Sequence, residues 1–96
     1  SGTISSITTK GTVYVDKNYS SVRVIFSGKR TDGSSASATY NVTFSKSGEE
    51  SKRFQMTLNG SGGVVTLGSM AKGTWNYTIT RSSGSGEYIY IVTLHG

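Results

Sequence analysis

Few side chains in this 96-residue sequence are suited to covalent chemistry. The one histidine, His95, stands beside the last residue of the sequence, where ordering is weakest. The five carboxylates, Asp16, Asp32, Glu49, Glu50 and Glu87, each adjoin a turn residue or a basic side chain, which is the setting of a solvated loop. A glycosidase would need two carboxyls ~5 to 10 Å apart across a cleft, and nothing in the spacing brings a pair together. No Gly-x-Ser-x-Gly elbow presents a serine. Cysteine is absent, which removes disulfides, thiolate nucleophiles and thiolate ligands together. There is neither a histidine pair nor an Asp-rich loop for a metal, and no glycine cluster leads into Gly-Lys-Ser/Thr for a phosphate. We therefore expect no enzyme, no cofactor and no metal.

What remains is recognition by contact. The single tryptophan, Trp75, lies in MAKGTWNYTITR, residues 70 to 81, on the same alternate row as Tyr77 and Ile79. A regular strand cannot send members of one row to opposite faces, so the row makes Trp75 core. A bulge just after Gly73 would instead turn the indole outward, where a flat ring rimmed by Asn and Thr suits carbohydrate stacking. The row between, with its partners on a second alternating segment, gives a candidate binding face of Thr39, Asn41, Thr43, Asn76, Thr78 and Thr80, with Tyr88 and Tyr90 at its margin. The loop Ser82, Ser83, Gly84, Ser85, Gly86 and Glu87 is the companion candidate. All four asparagines fall in Asn-x-Ser/Thr, a pattern we attribute to alternation in a Ser/Thr-rich chain rather than to glycan acceptors.

The net charge is +5 and the pI near 9.7, a balance that favours acidic partners. The ten Lys and Arg are scattered, however, with Lys29-Arg30 and Lys52-Arg53 the only adjacent pairs. Without a basic stripe interleaved with outward aromatics, a nucleic-acid partner is not expected. No apolar run approaches the roughly 20 residues that cross a bilayer as a helix, so membrane insertion is not expected either. Cysteine-free modules of this size suit bacterial and viral surfaces better than eukaryotic secretion.

These residues need elements to position them. Hydrophobic residues make up 33%, while Ser, Thr and Gly number 17, 13 and 13, a composition near the border of disorder. Order comes from placement. ASATYNVTFS (36 to 45), RFQMTLN (53 to 59) and TWNYTIT (74 to 80) alternate apolar and polar residues with period two, the mark of half-buried strands. VRVIF (22 to 26), GVVTL (63 to 67), YIYIVTLH (88 to 95) and a weaker TVYV (12 to 15) bring the count to seven. Asp32-Gly33, Ser47-Gly48, the 59-to-63 cluster and the 83-to-86 cluster carry turn chemistry. Seven short strands so spaced predict one all-β domain over residues 1 to 96: an antiparallel two-sheet sandwich of immunoglobulin-like type. Residues 1 to 10 form an N-terminal extension or an added edge strand. Strand 88 to 95 is apolar on both faces, and its outward row, whichever it is, requires either cover or a partner.

YNVTF (40 to 44), SKSGEESK (45 to 52), RFQMTL (53 to 58), NGSGG (59 to 63) and LGSMAKGTWNYTIT (67 to 80) follow one another in the order and spacing of a fibronectin type III module, which this half of the chain resembles. SSVRVIF resembles that family's second strand, with Phe26 where tryptophan is usual. Lys72 replaces the corner proline, and GTWNY carries one extra residue. The resemblance implies that Met70 plugs the core below the corner and that the Tyr77 hydroxyl bonds back to the backbone a few residues upstream. It also implies a structural and adhesive module of a larger extracellular, cell-surface or virion protein, bacterial or phage, flanked by neighbouring domains and meeting a protein or cell-surface glycan. A carbohydrate-binding accessory domain of a secreted enzyme is the other reading.

Overall fold

Period-two alternation becomes eight antiparallel strands, and no helix forms among the described residues. The computed structural model describes residues 2–5, 7–34 and 36–96. In chain order the strands are β1 (Gly2–Ile4), β2 (Thr8–Val15), β3 (Tyr19–Arg30), β4 (Ala38–Ser45), β5 (Lys52–Leu58), β6 (Gly62–Met70), β7 (Gly73–Ser83) and β8 (Tyr88–His95). They form two four-stranded sheets, ordered β1-β8-β3-β6 and β2-β7-β4-β5. The count is eight rather than seven because the first fifteen residues supply two strands, one to each sheet. TVYV is the end of an eight-residue strand whose remainder, TTKG, has too little apolar content to be seen by alternation.

The inner rows of the two sheets form one core. Val22, Val24 and Phe26 on β3, Met70 on β6 and Tyr88 and Tyr90 on β8 meet Tyr40, Val42 and Phe44 on β4, Phe54, Met56 and Leu58 on β5 and Trp75 and Ile79 on β7. Aromatic rings run across it in sequence: Phe26 against Phe54 at 6.0 Å, Phe54 against Phe44 at 6.0 Å, and Phe44 edge-on to Tyr77 at 6.2 Å. Such offset and edge contacts add to simple burial because ring edges and faces carry opposite partial charge.

β3 lies beside β6 in one sheet and β7 beside β4 in the other, while the end strands depart from the immunoglobulin-like arrangement expected from the strand spacing. In that arrangement the last strand pairs with the one before it, whereas here β8 pairs with β3 and β1, and the place beside β7 is taken by β2. The connection is responsible: residues 84–87 carry the chain from one sheet to the other, and Gly84 and Gly86 both hold positive φ, at 85° and 103°. With a side chain, both positions would be strained in that conformation.

The corner between β6 and β7 also departs from the resemblance. Met70 is buried as expected. The bond back to the upstream backbone, however, is made by Trp75, whose indole N–H donates to the Ala71 carbonyl at 2.9 Å. Tyr77 turns its hydroxyl toward Tyr90 instead. The extra residue in GTWNY moves the ring that closes the corner by one alternate position. The Lys72 backbone N–H donates to Asn18 Oδ1 at 2.8 Å, a bond that the proline implied by the resemblance could not make.

Candidate functional site

The outer face of the β2-β7-β4-β5 sheet is built almost entirely of short hydroxyl and amide side chains. Register sets them in rows. Thr8, Thr80, Asn41 and Gln55 lie opposite one another across four strands, and Lys10, Thr78, Thr43 and Arg53 form the next row. Thr12, Asn76 and Ser45 make a third, shorter row. At the far edge of the face, Thr39 and Thr57 pair through their hydroxyls at 3.3 Å. β-branched threonine suits an outward strand position because its methyl packs on cross-strand neighbours while its hydroxyl stays available. The middle row ends in a cation on each side, Lys10 and Arg53, so the face is polar at its centre and positive at two edges.

Six of the expected face residues, Thr39, Asn41, Thr43, Asn76, Thr78 and Thr80, are thereby brought onto one surface. Tyr88 and Tyr90 are not part of it. Both are buried in the other sheet, with Ile89 and Ile91 outward. Two hydroxyl contacts and one ring contact go with that parity. The Tyr88 hydroxyl donates to the Ala36 carbonyl at 3.0 Å, its ring stands edge-on to Tyr40, and the Tyr90 hydroxyl meets that of Tyr77. An isoleucine turned inward would offer no hydroxyl to the Ala36 carbonyl or to Tyr77.

Of the candidate loop, Ser82 and Ser83 complete β7, and the Ser82 hydroxyl donates to the Thr39 carbonyl at 3.2 Å. Gly84, Ser85, Gly86 and Glu87 form the crossing to β8, and the Glu87 carbonyl accepts from Thr31 N–H at 3.1 Å. The loop therefore borders the Thr39 end of the polar face.

Trp75 is fully buried with its N–H satisfied, so no indole platform faces solvent. The aromatic that does stand out is Tyr14, 63% exposed on β2 opposite Thr74. Alternation in TVYV, with Val13 and Val15 in phase and Tyr14 between them, was the signal for it.

The outer face of the other sheet has the opposite character. Ile25 lies across from Val64, and Ile89 and Ile91 stand on the adjoining β8, all exposed, with Arg23 and Lys29 on β3 between and beside them.

The acids are dispersed. Asp16 accepts from the Tyr19 hydroxyl at 2.6 Å, which lowers its pKa, and Asp32 pairs with Arg30 at 3.2 Å and accepts from Ser34 N–H. Among the described residues no three His, Asp or Glu gather where a metal could sit.

A cavity of about 450 Å³ opens between the sheets, lined by Val13 and Tyr14 on β2, Val42 and Phe44 on β4, Tyr77 and Ile79 on β7, and Tyr90, Val92 and Leu94 on β8. Thr12 on β2 completes the lining, and the Tyr77 and Tyr90 hydroxyls interact beside it. Burial, and then the bond to Tyr77, push Tyr90 up to about 12. Gly11 is required beside it, because a β-carbon there would overlap the Tyr77 hydroxyl. Tyr40 is the remaining perturbed group of the core: burial raises its pKa and the Arg81 charge opposes the rise, and its hydroxyl has no partner in hydrogen-bonding geometry among the described residues.

Comparison with protein-family models, with curated proteins and with solved structures finds no match to this chain.

Proposed function

We propose that the chain is a non-catalytic structural and adhesion module of a larger extracellular or virion-surface protein, and that it presents the outer face of β2-β7-β4-β5 to a protein or glycan. The observation that carries this reading is the registered lattice centred on Thr78 and Thr43, flanked by Lys10 and Arg53. A face made of short, half-immobilised hydroxyls and amides loses little side-chain entropy when it forms hydrogen bonds to a partner. Its edge cations favour acidic ligands. A sandwich of two four-stranded sheets is in keeping with a module of this kind, although fold alone carries no function.

Thr78→Arg tests the proposal by standing a long side chain in the middle of the lattice. Binding of the labelled chain to a glycan array and to cell envelopes should fall at least about tenfold, while stability changes by within about 0.5 kcal/mol, as for other surface positions. Unchanged binding by the variant, or an equal loss of stability, would remove the proposal.

The second reading, a carbohydrate-binding accessory domain of a secreted enzyme, rests on Tyr14 rather than Trp75, since Tyr14 is the exposed ring beside the lattice. On the same array Tyr14→Ala separates the two: it removes sugar binding in the second reading and leaves protein binding intact in the first.

A further inference from the structure

Every outward position on β2, β7, β4 and β5 holds a hydroxyl, an amide or a cation, and no carboxylate or aliphatic side chain stands among them. The five acids all lie in connections between strands: Asp16 is held by the Tyr19 hydroxyl, and Glu49 and Glu50 sit in the β4–β5 turn. Lys10 and Arg53 close the middle row on opposite sides, three strand spacings or about 14 Å apart at the backbone. Between them Thr78 and Thr43 are half-buried by their neighbours.

The centre of this face decides between two kinds of partner. Protein interfaces are driven by an apolar, charge-poor centre with a polar rim. Here the centre is a pair of threonine hydroxyls, and the flanking rows add more hydroxyls and the amides of Asn41, Asn76 and Gln55. Hydroxyls and amides each donate and accept, so they pair with sugar hydroxyls in either sense. Lysine and arginine only donate, and they pair most strongly with carboxylates. One carboxylate shared by both cations would require the two side chains to lie flat over Thr78 and Thr43 and cover them. Two acids set apart along a chain leave the central hydroxyls open to the sugars between.

We infer that the ligand of this face is a linear polysaccharide with carboxylates repeated along its length, laid across the strands so that Lys10 and Arg53 each meet an acid while Thr78 and Thr43 bond the sugars between them. This rests on the reading of the lattice as the binding surface and names the class of glycan that it takes.

The labelled 96-residue chain is titrated onto immobilised hyaluronan, alginate and polygalacturonate, each also in carboxyl-reduced form, with poly-glutamate and a single-stranded oligonucleotide alongside. At least one native polymer should bind about tenfold or more tightly than its reduced form and than both polyanions that lack the sugar hydroxyl pattern. Lys10→Gln with Arg53→Gln should erase that preference. Arg23→Gln with Lys29→Gln removes the same charge from the outer face of the other sheet and should leave the preference intact; all four side chains are exposed, so thermal midpoints should match. Thr78→Val, which removes one hydroxyl without changing charge, should weaken binding about fivefold, the worth of one hydrogen bond. Equal losses in the two double variants, or equally tight binding of poly-glutamate or the oligonucleotide, would reduce the attraction to net charge and overturn the inference, as would retention of none of the native polymers. Should a neutral glycan or a protein instead be bound in a manner that Thr78→Arg removes, this inference fails while the lattice stands as the binding surface.

Discussion

Trp75 illustrates how a single ring can be read two ways until its polar end is placed. Its row put it inward, and the indole N–H confirms the position by closing the corner on the Ala71 carbonyl. The tyrosines have a different consequence. Tyr90 is raised to about 12 by burial first and by its bond to Tyr77 second, against an ordinary value of 10.0. A folded-state pKa above the unfolded one means that the native state holds its proton more tightly. The associated stability is fully present below pH 10 and is lost as pH rises from about 10 toward about 12. Tyr40, raised by burial, acts with the same sign. Chemical denaturation across that window should show stability falling with pH, and Tyr90→Phe should flatten the fall. An unchanged slope in the variant would mean that Tyr90 does not carry the effect.

At the scale of elements, the β6–β7 corner is held from outside the hairpin. Lys72 N–H reaches Asn18, fifty-four residues away in sequence, on the segment leading into β3. Lys72→Pro should destabilise the chain by about 1 kcal/mol, because it deletes the donor. Asn18→Ala should cost a similar amount, and the two together less than their sum, since each removes the same bond. Full additivity of the measured unfolding free energies would show that the bond contributes nothing. Strand ends follow the same logic of distant partners. β2 reaches back to Thr8 because Thr8, Lys10 and Thr12 find Thr80, Thr78 and Asn76 across the ladder, which no local pattern foretells.

Taken whole, the molecule has two unlike outer faces. One is the threonine and asparagine lattice; the other carries Ile25, Val64, Ile89 and Ile91 between Arg23 and Lys29. Exposed apolar side chains gathered on one face give it the character by which surfaces associate. Ile91 is 53% exposed, so Ile91→Glu should leave the thermal midpoint nearly unchanged while abolishing any association of the chain through this face, read by sedimentation at high concentration. A large drop in stability would show that Ile91 is covered within the fold.

The strands themselves were legible because alternation is a property of neighbours in sequence: which residues of 36 to 45, 53 to 59 and 74 to 80 point inward follows from the pleat alone. For the same reason six of the face residues could be grouped before any pairing was known. The two faces of YIYIVTLH could not be told apart that way, since both are apolar, and the choice rests on the Ala36 carbonyl and the Tyr77 hydroxyl. Nor does a local pattern say which strand lies beside which. The exchange of β2 and β8 at the ends of the sheets depends on a crossing at residues 84–87 and on contacts between residues far apart in the chain. Sequence by itself determined the pleat and its polarity; tertiary structure alone decided the pairing, because hydrogen bonds between strands are made by backbones that are identical at nearly every residue.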